Sequence, residues 1–143
     1  MADVIYNAFF KNVADNNIDL DADTFKLMLV TSSYTPDVDA HADRADVTNE
    51  VAGTGYTTGG ATVSTTATTQ DNTNDLCKFD GDDVQWGSSS ITARGAVLYK
   101  STGVAANDLL VKYFDFGADK TSDNGNFDVI FHADGILQFK TGA

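Results

Sequence analysis

GAVLYKSTGVAANDLLVKYFDFG, running from Gly95 to Gly117, decides how the rest of the chain is read. It holds two apolar runs, Ala96–Tyr99 and Leu109–Phe116, separated by a loop with Ser101, Gly103, Asn107 and Asp108. Both runs are short, rich in β-branched and aromatic side chains, and bounded by turn formers. That combination predicts a pair of strands. A β domain can be built outward from this pair.

The 143 residues suffice for one domain with a sizeable core, and 1–143 is read as a single β-rich domain. Asp and Glu number 21 against 9 Lys and Arg, a net charge of −12, and Glu50 is the only glutamate. Such a surface repels phosphate backbones and anionic lipid, so neither nucleic acid nor membrane is expected as a partner. No apolar run approaches the roughly 20 residues of a membrane helix. MADVIYNAFF lacks the basic start of a signal peptide. The lone Cys77 excludes an internal disulfide framework and fits synthesis in a reducing cytoplasm.

Upstream of the central pair, Asp3 to about Ala14 reads as a helix with Asp3 as N-cap and Ile5, Phe9 and Val13 on one face. It either lies on the edge of its own core or docks on a partner subunit. Asp19, Asp21 and Asp23 imitate a calcium loop, but Thr24 stands where glycine is needed and Val30 where a bidentate glutamate belongs. A solvated turn is expected instead. Thr24–Thr31 reads as a strand covered on both faces. Asp39–Val47 has the composition of one or two helical turns. Thr48–Asp75 is dominated by Thr, Gly, Asn and Asp, and reads as a flexible excursion carrying an exposed or edge strand, Ala61–Thr69.

Further on, Leu76–Phe79 and Val84–Trp86 flank Asp80-Gly81, which predicts a tight turn between short strands, with Trp86 in the core. Phe127, Val129 and Phe131 alternate with Asp128, Ile130 and His132, and Ile136–Lys140 closes the set. The expected architecture is mainly β: an antiparallel β-sandwich or barrel of about seven to eight short strands with a short N-terminal helix.

The residues of known chemistries are not arranged for them. His41, His132 and Cys77 lack metal-site spacing. Gly53-Thr54-Gly55 lacks the third glycine of a dinucleotide fingerprint. After Ser88-Ser89-Ser90, Ile91 occupies the place of the second glycine of a nucleophile elbow. Asp82, Asp83 and Asp115 are expected to be solvated and ionised, without the apolar pocket that makes an acid catalyst. No enzyme activity, metal or cofactor is expected.

Three stretches together carry a family resemblance: MADVIYNAFFKNVADNNIDLDADTFKLMLV, DGDDVQWGSSSITARGAVLYKSTG, and NDLLVKYFDFG. Their order and spacing resemble small structural proteins of tailed bacteriophages. The resemblance implies a virion component without catalysis: a capsid decoration, or cement, protein. It implies a homotrimer made in the host cytoplasm, located on the capsid surface and bound to the major capsid protein. The alternative is a tail, neck or fibre component, in which host-receptor binding is one role.

The contact regions expected from the residues are the N-terminal segment, with Val4, Ile5, Phe9 and Phe10, and the Thr/Gly-rich excursion at about 48–75, with Tyr56. The motive is excess apolar surface in the first and an unpaired strand edge in the second.

Overall fold

The computed structural model describes residues 2–140. Within them, ten strands form three antiparallel sheets, beside one short α-helix near the N-terminus. The sheets are open rather than closed into a barrel. The largest, of five strands, has the order β1-β8-β7-β2-β3, where β1 is Val4–Ile5, β2 Phe25–Val30, β3 Ala61–Thr62, β7 Thr92–Lys100 and β8 Leu110–Thr121. A three-stranded sheet has the order β10-β5-β4, with β4 Ala67–Asp71, β5 Leu76–Asp80 and β10 Leu137–Lys140. The last sheet pairs β6, Val84–Ser89, with β9, Gly125–Val129.

The expected central pair is the spine of the large sheet. In it, β7 and β8 run antiparallel with Gly95 opposite Asp115 and Val97 opposite Tyr113. Gly95 is needed there because a Cβ would meet the Tyr113 ring and the Phe114 carbonyl at 2.6 Å. On the other side of β7 lies β2. Phe25, Leu27 and Leu29 enter the main core, while Met28 and Val30 enter a second core on the opposite face. Period-two alternation therefore buries both faces of the sheet. The main core is shared with Phe79, Trp86, Phe127 and Leu137 from the smaller sheets. The second is roofed by the segment after β2, through Tyr34 and Val47.

The helix is shorter than its expected span. It covers Asn7–Ala14, capped by Tyr6 without a side-chain hydrogen bond. Val4 and Ile5 instead pair with Tyr113 and Lys112 of β8. Asp3 is not the N-cap; its carboxylate accepts from the Asp115 N–H at 2.7 Å. β-branched side chains next to an open sheet edge favour strand over a first helical turn.

Two further expectations are corrected. Asp80-Gly81 closes no hairpin, since β5 lies between β4 and β10 while β6 pairs with β9. Gly81 is not among the positive-φ glycines that a primed turn requires. The neighbouring acids bind other segments: Thr65 Oγ1 donates to Asp82 and the Phe131 N–H to Asp83, each at 2.9 Å. In the Thr/Gly-rich stretch, the single strand expected at Ala61–Thr69 is broken into β3 and β4, with Thr65 at φ 57° between them. Both pieces are sheet edges, as read from composition. The stretch is nonetheless anchored, because Val51 and Val63 are buried and their N–H groups donate to Leu29 and Phe25 carbonyls at 2.9 Å. The helical turn expected within Asp39–Val47 is a short 3-10 helix, Arg44–Asp46, with a reciprocal capping box between Asp43 and Asp46.

Candidate interaction surface

The most distinctive geometry is a corner. Chain direction continues from β6 into β7 through Ser90-Ile91, and from β8 into β9 through Ser122–Asn124. The β7–β8 ribbon thus folds over to become the β6–β9 ribbon. Such sheet-to-sheet corners need local irregularity. Here Ser88 and Asn124 take φ of 49° and 48°. The inside is fixed by hydroxyls: Ser89 Oγ lies 2.7 Å from Ser122 Oγ and 3.0 Å from the Trp86 carbonyl. The Ile91 N–H donates to Ser122 Oγ at 3.3 Å. The Ser88-Ser89-Ser90 run, which lacks the second glycine of a nucleophile elbow, therefore builds the corner.

Between the two arms of this folded ribbon runs a groove. Its first part, about 380 Å³, is lined by Phe116, Lys120, Phe127, Asp128 and Ile130 among others. The adjoining part, about 290 Å³, shares Phe116, Val129 and Ile130 and reaches Asp3, Lys112 and Phe131. Aromatic pairs make its floor, with Phe116 against Phe127 at 6.1 Å and Phe114 against Phe131 at 5.6 Å between ring centres. Ile130 stands on the rim, 75% exposed. Lys112 is turned inward: its ammonium donates to the Ile136 carbonyl at 3.0 Å and lies 4.8 Å from the Phe114 ring centre. Burial holds it below the ordinary lysine range.

Two arginine–aspartate pairs hold buried carboxylates. Arg94 Nε lies 3.2 Å from Asp115 Oδ1. The Asp115 side chain is buried, contrary to the expectation of a solvated group. The Gly117 N–H holds its carboxyl below the usual carboxylate range against the upward push of burial, and Arg94 helps. Asp108 is likewise 1% exposed. Burial pushes its carboxyl up, but the N–H and hydroxyl of Thr102, at 2.6 and 2.7 Å, and Arg44 Nε at 2.7 Å outweigh that and hold it low.

The acidic turn at Asp19–Asp23 binds its own chain. Asp19 accepts from the N–H groups of Asp21 and Ala22, and Asp21 accepts from Thr68. Among the described residues no group of three or more His, Cys, Asp or Glu is placed to hold a metal ion, and no helix is long and apolar enough to cross a membrane.

The expected contact residues are not brought together. Phe9 is 1% exposed and belongs to the main core. Tyr56 is half-buried; its hydroxyl donates to Glu50 at 2.7 Å and accepts from the Leu29 N–H at 3.0 Å, and its ring packs on Trp86. Val4 and Ile5 are half-buried in β1, one against each core. Phe10 is the member of the set that faces solvent, at 54%. Ile130 and Val104 were not among the expected contacts. Ile130 was findable, since alternation already set it with Asp128 and His132 on the polar side of its strand. Comparison of the chain with protein-family models, with curated proteins and with solved structures finds no match.

Proposed function

We propose that the chain is a non-enzymatic structural protein of a tailed-phage virion: a decoration protein that binds and stabilises the shell of the major capsid protein, as a trimer on the capsid surface. The observation that carries this reading is the placement of the resembling stretches. Scattered over the sequence, they supply the neighbouring strands β1, β8, β7 and β2, the helix Asn7–Ala14, and β6, which lies in the two-stranded sheet and runs on into β7. The resemblance thus falls on one contiguous scaffold rather than on unconnected fragments. The acids most deeply buried serve that scaffold through Arg44 and Arg94. A net charge of −12 keeps particles densely coated with the protein from aggregating. Many copies per particle multiply a modest contact into firm attachment.

The test is a copy count in purified virions by quantitative mass spectrometry, with labelled protein located by electron microscopy. Copies in proportion to the capsid lattice, on the shell, are expected. A count on the scale of a tail, neck or fibre overturns the capsid role and assigns the chain to that position.

A further inference from the structure

The strongest unassigned cluster surrounds Lys112 on β8. We propose that Lys112 is a nucleophilic amine and the covalent modification site of this chain for small aldehydes, with His132 carrying the proton that the reaction moves. This chemistry is independent of the capsid reading above. Three observations converge on Lys112.

The first is position. Two recesses, of about 290 and 430 Å³, meet around Asp3, Lys112, His132 and Gly135, which line both. Strand pairing sets Lys112 there, opposite Ile5 of β1 on one side and Leu98 of β7 on the other. Among the described residues, no other lysine lines either recess. Each has room for a small aldehyde beside the amine.

The second is the hydrogen count on the nitrogen. The protein offers its N–H groups two partners, the Ile136 carbonyl at 3.0 Å and the Phe114 ring, whose centre is 4.8 Å away. An ammonium has three N–H groups, one more than these partners take up. An uncharged amine has two, so it serves both partners and turns its lone pair to the recess. That lone pair is the nucleophile. Lys11, Lys78 and Lys100, in contrast, each face a carboxylate, of Asp15, Asp71 and Asp23. Burial pushes the Lys112 amine down and outweighs the opposing pull of the Asp3 carboxylate. Desolvated lysines are the ones that attack carbonyl groups.

The third is the supply of protons. The amine nitrogen attacks the carbonyl carbon, and the C=O electron pair moves to oxygen, which takes a proton to give a carbinolamine. A second proton lets that hydroxyl leave as water while the nitrogen lone pair closes the C=N bond. The proton is returned when the iminium nitrogen gives up its own. One amine and one aldehyde thus give one imine and one water, with no oxidant or reductant. His132 borders both recesses, and its Nδ1 accepts from the Asp134 N–H at 3.1 Å, which leaves the ring proton on Nε2. Nε2 gives and regains the proton. The other titratable groups lining the recesses are Asp3, Asp134 and Asp115, the last held by Arg94.

The test treats the full chain briefly with formaldehyde and cyanoborohydride, which fixes each imine as a methylated amine. Peptide mass spectrometry then reads the rate at each lysine between about pH 6 and pH 10. Near neutral pH, Lys112 should be labelled several-fold faster than the exposed Lys11 and Lys120, and its lead should narrow as pH rises and every amine loses its proton. In urea the lead should vanish, because the fold creates it. His132→Gln, at an exposed position, should melt as wild type and slow labelling of Lys112 several-fold while leaving Lys11 and Lys120 unchanged. A folded chain in which Lys112 is labelled no faster than Lys11 and Lys120 overturns the inference, as does a lead that survives in urea. A Lys112 rate left intact by His132→Gln overturns the part given to His132.

Discussion

The hydroxyls of Ser89 and Ser122 meet at 2.7 Å inside the corner where one β-ribbon folds over into another. The Ile91 N–H donates to Ser122 Oγ, which leaves the Ser122 proton for Ser89 and the Ser89 proton for the Trp86 and Gly125 carbonyls. One relay thus satisfies backbone groups on both arms of the bend. Buried hydroxyls are costly unless bonded, and leaving one partner behind costs more than removing both. Ser89→Ala is expected to destabilise by about 1–3 kcal/mol. The Ser89→Ala/Ser122→Ala double variant should lose less than the sum of the single losses. Urea denaturation of the three variants measures this; strict additivity would mean that the hydroxyls do not act together.

Asp108 ties three segments, through Arg44 on one side and Thr102 on the other. Its folded carboxyl is held low, so its stabilisation is complete above the ordinary aspartate pKa of about 3.9 and is lost as pH falls through the lower folded value. Acid unfolding should therefore begin below about pH 4. Asp108→Asn should lower stability at neutral pH by about 2–3 kcal/mol and shrink the difference between neutral and acid stability. Thermal melts across pH 2–7 check it, and an unchanged acid slope in the variant would contradict the assignment.

The alkaline limb has its own source. Burial pushes the Tyr34 and Tyr99 hydroxyls up to about 12, and Tyr34 lies between the Tyr6 hydroxyl and His41 Nδ1. A raised folded pKa means that the stabilisation is whole below the ordinary tyrosine value of about 10 and is lost as pH rises through the folded one. Tyrosinate absorbance should lag behind that of a denatured control as pH rises. Tyr34→Phe should reduce alkaline sensitivity while costing about 1 kcal/mol at neutral pH.

Much of this fold was legible because its central strands obey simple periodicity. In β2, the alternation of Phe25, Leu27 and Leu29 with Met28 and Val30 announced burial on both faces, and each set enters its own core. The corner was not legible, because its cause is three-dimensional. Ser88-Ser89-Ser90 reads as an ordinary loop until the bend places Ser122 beside Ser89. Likewise Asp108 reads as a turn former, and only the fold brings Arg44 to it across 64 residues. Composition alone also overstated the freedom of the Thr/Gly-rich stretch, where isolated small apolar residues such as Val51 and Val63 are the anchors.

That stretch is fixed at Gly60. Its φ is 82°, and a Cβ there would lie 1.9 Å from the Leu27 carbonyl oxygen on β2. Neither the strain nor the collision can be relieved without moving β3 off the sheet edge. Gly60→Ala should cost roughly 2 kcal/mol or more. Gly103, at φ 89° with nothing within 4 Å of a built Cβ, isolates the strain from the collision. Gly103→Ala should cost only about 1 kcal/mol. Equal losses in thermal melts would show that the close approach to Leu27 is unimportant.

Phe9 and Phe10 are sequence neighbours with opposite duties. Their rings meet edge-on at 5.8 Å, yet Phe9 is 1% exposed and Phe10 is 54% exposed. The helix Asn7–Ala14 turns Phe9 onto Phe139 and the main core, while Phe10 points away. Truncating the N-terminal segment would remove Tyr6 and Phe9 from the two cores, so lost binding in a truncation would report unfolding rather than contact. Point substitutions separate the two. Phe9→Ala should lose about 3–5 kcal/mol of stability in urea denaturation. Phe10→Ala should stay within about 0.5 kcal/mol of wild type, as an exposed ring does. If Phe10→Ala keeps its stability but loses attachment to empty heads, the helix is a contact surface. If attachment is unchanged, the N-terminal segment is structural, and its apolar residues are explained by the two cores that they fill.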